Sequence, residues 1–183
     1  MNIPIQGEEN WTPQTRALVD AVILAHQKSA RENQNMSSFA AVNSFLGSGS
    51  FRQAVAGAMM TLGQRHGPVD DARRNLTVYP SPNGEGMVSG FGNSFFKHGD
   101  PAWADVAEMV RTSLPDTFKR ICIANPDPSK LNPNAAMWTA VACMEAGIPD
   151  GFGELFFLMA RIPVWAELCI QAKSSLPPLK QKR

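Results

Sequence analysis

Apolar residues recur at three- and four-residue spacing along most of the chain, and this limits the fold more than any other feature. After Thr12-Pro13, an N-cap followed by a first-turn proline, Leu18, Val19, Val22, Ile23 and His26 share one helical face. Residues 27–35 are polar and read as a loop. Ser37-Ser38 can cap a second helix carrying Phe39, Ala40, Val42, Asn43 and Phe45, closed by Gly47 and Gly49. Ser50 caps a third, from Phe51 to about Gln64. Its small residues Ala54, Ala56, Gly57 and Ala58 admit another backbone, which predicts a central position or a subunit interface.

Pro80, Pro82, Gly84 and Gly86 interrupt the pattern, and Leu76-Thr77-Val78-Tyr79 reads as a short strand or an extended arm. Asp100-Pro101 starts a further helix through Val106 and Val110, and Leu114 to Ala124 forms another. Pro133 opens a helix to Ala146, with Gly147 as its C-cap. Gly151 to Ala172 is the last long helix, with Pro163 as a site for a kink. The expected fold is all-α.

A chain of 183 residues supports one domain with a substantial core, or a domain and a small lobe. A net charge of +1 gives no broad electrostatic case for nucleic acid or an acidic membrane as partner. Lys180-Gln181-Lys182-Arg183 reads as a solvated terminus. Cys122, Cys143 and Cys169 lie in apolar runs without a CxxC pair. They read as buried, reduced thiols of a cytoplasmic protein, with no disulfide frame and no metal site. Met1 to Trp11 carries Glu8 and Glu9 and lacks the apolar core of a signal peptide. No apolar run approaches the ~20 residues that span a bilayer.

Four segments, in order, carry a resemblance. The first is Val22-Ile23-Leu24-Ala25-His26, followed by Ser37-Ser38-Phe39-Ala40-Ala41. The second is Leu62-Gly63-Gln64-Arg65-His66-Gly67-Pro68. The third is Gly90-Phe91-Gly92-Asn93-Ser94-Phe95-Phe96-Lys97-His98-Gly99-Asp100-Pro101. The fourth runs from Asn132-Pro133-Asn134-Ala135-Ala136 through Gly147-Ile148-Pro149 to Leu158-Met159-Ala160-Arg161. Together they resemble the C-terminal portion of the citrate synthase family, whose loop reads G-F-G-H-R-V-Y-K-x-x-D-P-R. Citryl-CoA lyases share this frame. The resemblance implies a citrate synthase-like helical fold, truncated at the N-terminus, with a reduced small domain. Its expected parts are large-domain helices over 12–66, a small-domain-like lobe over 67–130, large-domain helices again over 131–173, and a flexible tail over 174–183.

The same resemblance implies which residues would act. His66 matches the histidine that stabilises the enol of acetyl-CoA, and Arg161 matches an arginine that binds carboxylate. Gly90, Gly92 and Lys97 match the loop near the CoA phosphates, and His26 matches a further histidine. Asn93 stands where a histidine would polarise the ketone, and it cannot carry a proton at neutral pH. Ala136 stands where the catalytic aspartate would be, Ala102 where an arginine would be, and Ser94 replaces another arginine.

Each retained residue also has a structural reading. His66 can cap a helix end. Arg161 in an apolar helix can pair with Glu154 or Glu167. Lys97 and His98 can be merely solvated, and His26 can be a satisfied core histidine. Losing a positioned base costs ~10²–10⁴-fold in rate.

Three functions stay open on this basis. One is a non-catalytic, homodimeric interaction or regulatory protein, a pseudoenzyme with a protein partner. Another is a sensor that binds a small carboxylate or CoA. The third is a divergent enzyme on acyl-CoA working through His66, with Asp70, Asp71 or Asp100 as base. No cofactor is expected beyond CoA or acyl-CoA as a ligand.

Overall fold

In the computed structural model, residues 8–33, 35–63, 66–78, 88–93 and 96–175 are described. Gln64, Arg65, Tyr79, Ser94, Phe95 and the tail from Leu176 lie outside them, as do the glycines at 84 and 86. Eight α-helices are present among the described residues: α1 (Pro13–Asn33), α2 (Met36–Ser48), α3 (Phe51–Met59), α4 (Val69–Thr77), α5 (Ala104–Ser113), α6 (Pro115–Ala124), α7 (Ala135–Glu145) and α8 (Gly153–Ser174). There are no strands among these residues, only isolated bridges between Gly63 and His66 and between Phe91 and Pro133. The all-α expectation holds.

Several boundaries differ from the sequence reading, each for a physical reason. Residues 27–33 continue α1 instead of forming a loop, because Ala30 and Ser29 turn inward and are buried while their charged neighbours face water. The cap of α2 is Asn35, whose Oδ1 accepts from the Ser38 amide; Ser37 and Ser38 lie inside the helix and are buried. Gly49 closes it with φ +69°. Helix α3 ends at Met59, short of Gln64. Leu76, Thr77 and Val78 are no strand: Val69, Ala72 and Leu76, at helical spacing, bury one face of α4.

Helix α8 runs at the centre. It packs against α1, α2, α3, α4 and α7. Phe156 and Phe157 join the larger core, with Val22 of α1 and Trp138 and Met137 of α7. Leu158, Trp165 and Cys169 join a second cluster with Ala41 of α2 and Ala54 and Ala58 of α3. By length and composition α8 is apolar enough to cross a membrane, contrary to the sequence reading. Phe156, Phe157, Leu158, Val164, Trp165 and Cys169 are buried, whereas Leu155 and Ile170 are exposed. The helix continues through Pro163, which is exposed. Cys143 and Cys169 are buried as expected, but Cys122 is exposed on α6.

Candidate functional site

The residues aligned with catalytic histidines and arginine meet inside the protein, between α1, α2 and α8. Arg161 is 3% exposed. Its Nε donates to His26 Nδ1 at 3.2 Å and its Nη1 to Ser37 Oγ at 3.3 Å. Neither Glu154 nor Glu167 is its partner. Glu167 pairs with Arg31 at the surface, and Glu154 sits against Asp70 at the start of α8. The guanidinium instead lies over the ring of Phe157, 4.1 Å from its centroid. Burial pulls it down to about 9, opposed by the charge of Asp100, so it remains a cation at neutral pH.

Hydroxyl bookkeeping fixes the imidazoles. Thr139 Oγ1 donates its one proton to the Ala135 carbonyl at 2.6 Å, so it accepts from His26 Nε2 at 2.7 Å. His26 therefore carries its proton on Nε2 and accepts from Arg161 on Nδ1. Both ring nitrogens are committed, and the ring is fully buried against Trp103 and Phe157. Burial and the Arg161 charge hold it well below the usual histidine range, hence neutral.

Ser37 Oγ likewise donates to Asn35 Oδ1 at 2.8 Å and accepts from His66 Nε2 at 3.2 Å. His66 is thus a donor to Ser37 and keeps a lone pair on Nδ1. Gly63 and His66 exchange two backbone hydrogen bonds, and His66 caps no helix. Burial, then the Arg161 charge, lowers it to about 4.

The glycine loop is held elsewhere, against the start of α7. Gly90 accepts from the Asn134 amide, the Gly92 amide donates to Asn132, and the Asn134 side chain donates to the Gly92 carbonyl, each at 2.9 Å. Gly90 adopts φ +98°, and a Cβ there would stand 2.6 Å from Met137 Cε. Asn134 also caps α7, its Oδ1 accepting from Ala136 and Met137. Ala136 is 3% exposed and presents only a methyl group.

Gly92, Asn93 and Lys97 line a half-open cavity of about 450 Å³, together with Asp100, Lys130 and Asn132. Lys97 and His98 are exposed. Asn93 Oδ1 accepts from the Phe96 amide. The sequence-predicted residues therefore form two groups: His26, His66 and Arg161 in an internal network, and Gly92, Asn93 and Lys97 around the cavity. Gly90 lies beneath the second group.

None of the acids suggested as a base for His66 contacts it. Asp71 pairs with Arg74. Asp70 faces Glu154. Asp100 accepts from Ser29 Oγ at 2.8 Å and from the Ala102 amide at 3.0 Å, capping the turn before α5. Sequence reasoning missed Thr139, Asn35 and Phe157 as partners. Thr139, the one hydroxyl in the apolar run Ala135–Cys143, was the visible signal.

No family model matches the chain, and no curated protein matches it. Solved structures do. A citryl-CoA lyase from Hydrogenobacter thermophilus superposes with a TM-score of 0.68 at 18% identity, covering 94% of this chain and 74% of the lyase. A citrate synthase from Pyrobaculum aerophilum superposes with a TM-score of 0.70 at 22% identity, covering 90% of this chain and 46% of the synthase. This chain thus spans less than half of that synthase. Helical order, the α8-centred packing and these superpositions agree: the chain has a citrate synthase-like fold.

Proposed function

We propose that this chain is a non-catalytic, citrate synthase-like protein of the cytoplasm that works as a homodimer and through protein contacts. The observation that carries the reading is the state of His66. Its proton is engaged by Ser37, its other nitrogen offers a lone pair, and no carboxylate among the described residues touches it. An enol oxygen requires a hydrogen-bond donor and an adjacent base. The methyl group of Ala136 supplies neither.

Exposed Met36 and Phe39 on the first turn of α2, and Met59 and Met60 at the end of α3, support the dimer, since the two helices pack on each other. The test is release of CoA thiol from acetyl-CoA with oxaloacetate, and from citryl-CoA, comparing wild type with His66→Ala. Equal, background rates are expected. Turnover that His66→Ala abolishes would overturn the reading.

A second reading, a binder of CoA or a small carboxylate, is favoured by the cavity that Lys97 and Lys130 both line. Calorimetry with CoA, acetyl-CoA, oxaloacetate and citrate tests it. Absence of heat at ligand concentrations far above typical metabolite affinities removes it.

A further inference from the structure

A second cluster of ionisable groups lies away from the histidines, where the first turns of α4 and α8 meet. The two turns touch closely: a Cβ on Gly153 would stand 2.8 Å from Asp70 Oδ1 and 2.9 Å from Val69 Cβ. The Asp70 amide donates to Glu154 Oε1 at 3.3 Å. Asp70 Oδ1 is buried and has no hydrogen-bond partner as long as both carboxyl groups are treated as acceptors. A buried acceptor in that state destabilises the fold, because it has lost its hydration without replacement. Two carboxylates side by side repel as well. A single proton removes both penalties, because a carboxylic acid can donate to the orphan oxygen.

We infer that Asp70 and Glu154 hold one proton between them and form a pH-sensitive latch that clasps the start of α4 to the start of α8. The proton resides on Glu154, which is partly accessible and exchanges it with solvent, and it is donated to Asp70 Oδ1. Both helix N-termini favour the one negative charge that remains.

The neighbouring groups leave this pair to itself. On α4, Arg73 is engaged by Asp150 at 2.9 Å and by the Ile148 carbonyl, and Asp71 pairs with Arg74. On α7, Cys143 faces the pair, its thiol pushed up to about 12 by burial and so neutral. Burial, then the contact with Asp70, raises Glu154 to about 7.

The latch holds more than α4. Gly67 and His66 lie just ahead of its cap, Pro68, and both lie on the Phe157 ring of α8. Loss of the proton places two charges across this junction and loosens the contact of His66 and Gly67 with α8.

The sign follows from the raised value. Stability from Glu154 is fully present below its unfolded value of 4.5 and is lost as pH rises through about 7. His26 and His66 titrate with the opposite sense, so a variant comparison is needed to isolate Glu154. Glu154→Gln keeps a donor for Asp70 Oδ1 and cannot ionise. Urea midpoints of wild type and Glu154→Gln are compared from about pH 5.5 to about pH 8.5, where the imidazole contributions cancel. The variant's advantage is expected to grow as pH rises; a constant difference would overturn the latch. Carbon-13 carboxyl titration of wild type labelled at glutamate gives a second readout that needs no variant. One glutamate carboxyl is expected to titrate near neutrality. If every one titrates below about pH 5.5, in the ordinary carboxylate range, the latch does not exist.

Discussion

A buried guanidinium beside two neutral imidazoles makes acid the weak side of this protein. His66 is lowered to about 4 from 6.5, so the folded state refuses a proton that the unfolded chain accepts. Its stabilisation is complete above 6.5 and is lost as pH falls through about 4. The amount at stake is about 3 kcal/mol, at 1.36 kcal/mol per unit. His66→Gln retains a donor for Ser37 and has no such titration. Its urea midpoint should fall less than that of wild type between neutral pH and pH 4.5. Arg161 separates packing from charge. Arg161→Met, which keeps volume and removes a desolvated cation, should fold with stability within about 1–2 kcal/mol of wild type. Arg161→Ala should cost about 2–4 kcal/mol through the cavity it leaves. Chemical denaturation checks both. At this scale the sequence showed which residues were unusual but not how they were satisfied. His26 was readable as a core histidine because it ends an apolar helical face. The partners of Arg161 were not readable, because His26 and Ser37 lie far away in sequence and Ser37 looks like a cap residue.

Helix α3 lies on α2 with no room between them at Gly57. A Cβ there would run into the Ser44 side chain and stand 3.1 Å from the Ala40 carbonyl. The small-residue run Ala54-Ala56-Gly57-Ala58 announced such an approach, and the structure shows that α2 is the neighbour. Gly57→Leu should cost about 1–3 kcal/mol by overpacking, although leucine is the better helix former by up to ~1 kcal/mol. A lowered thermal midpoint with retained helical circular dichroism would verify that α2–α3 contact is what the glycine protects. Legibility differed sharply among elements. Asp100-Pro101, Asn134 and Gly147 are caps and stops with a local mechanism, and the elements they bound appeared within a few residues of expectation. Helix α4 was missed because its charged outer face and the nearby prolines outweighed a short apolar stripe. The polar end of α1 was missed because small residues, Ser29 and Ala30, form its buried face and give little hydrophobic signal.

The whole molecule couples two apolar clusters through one helix, and it leaves a set of large apolar side chains outside both. Met60 is 87% exposed and Met36 62%, beside Phe39 and Met59. If this face joins two copies, Met60→Glu should shift the protein toward monomer in light scattering at micromolar concentration, with its helical content intact. A wild type that is already monomeric there would remove the dimer. The overall fold was legible because four short segments kept their order along the chain. The internal network was legible only as a list of residues, since its geometry depends on contacts between α1, α2 and α8.

Phe157 packs on His26, His66 and Arg161 together, as a stopper over the only buried cation among the described residues. With 3% of Arg161 exposed, an anion could meet that guanidinium only through a local opening of the protein. Its capture is then timed by the protein and not by diffusion: the observed association rate rises with ligand concentration and levels off at the frequency of opening.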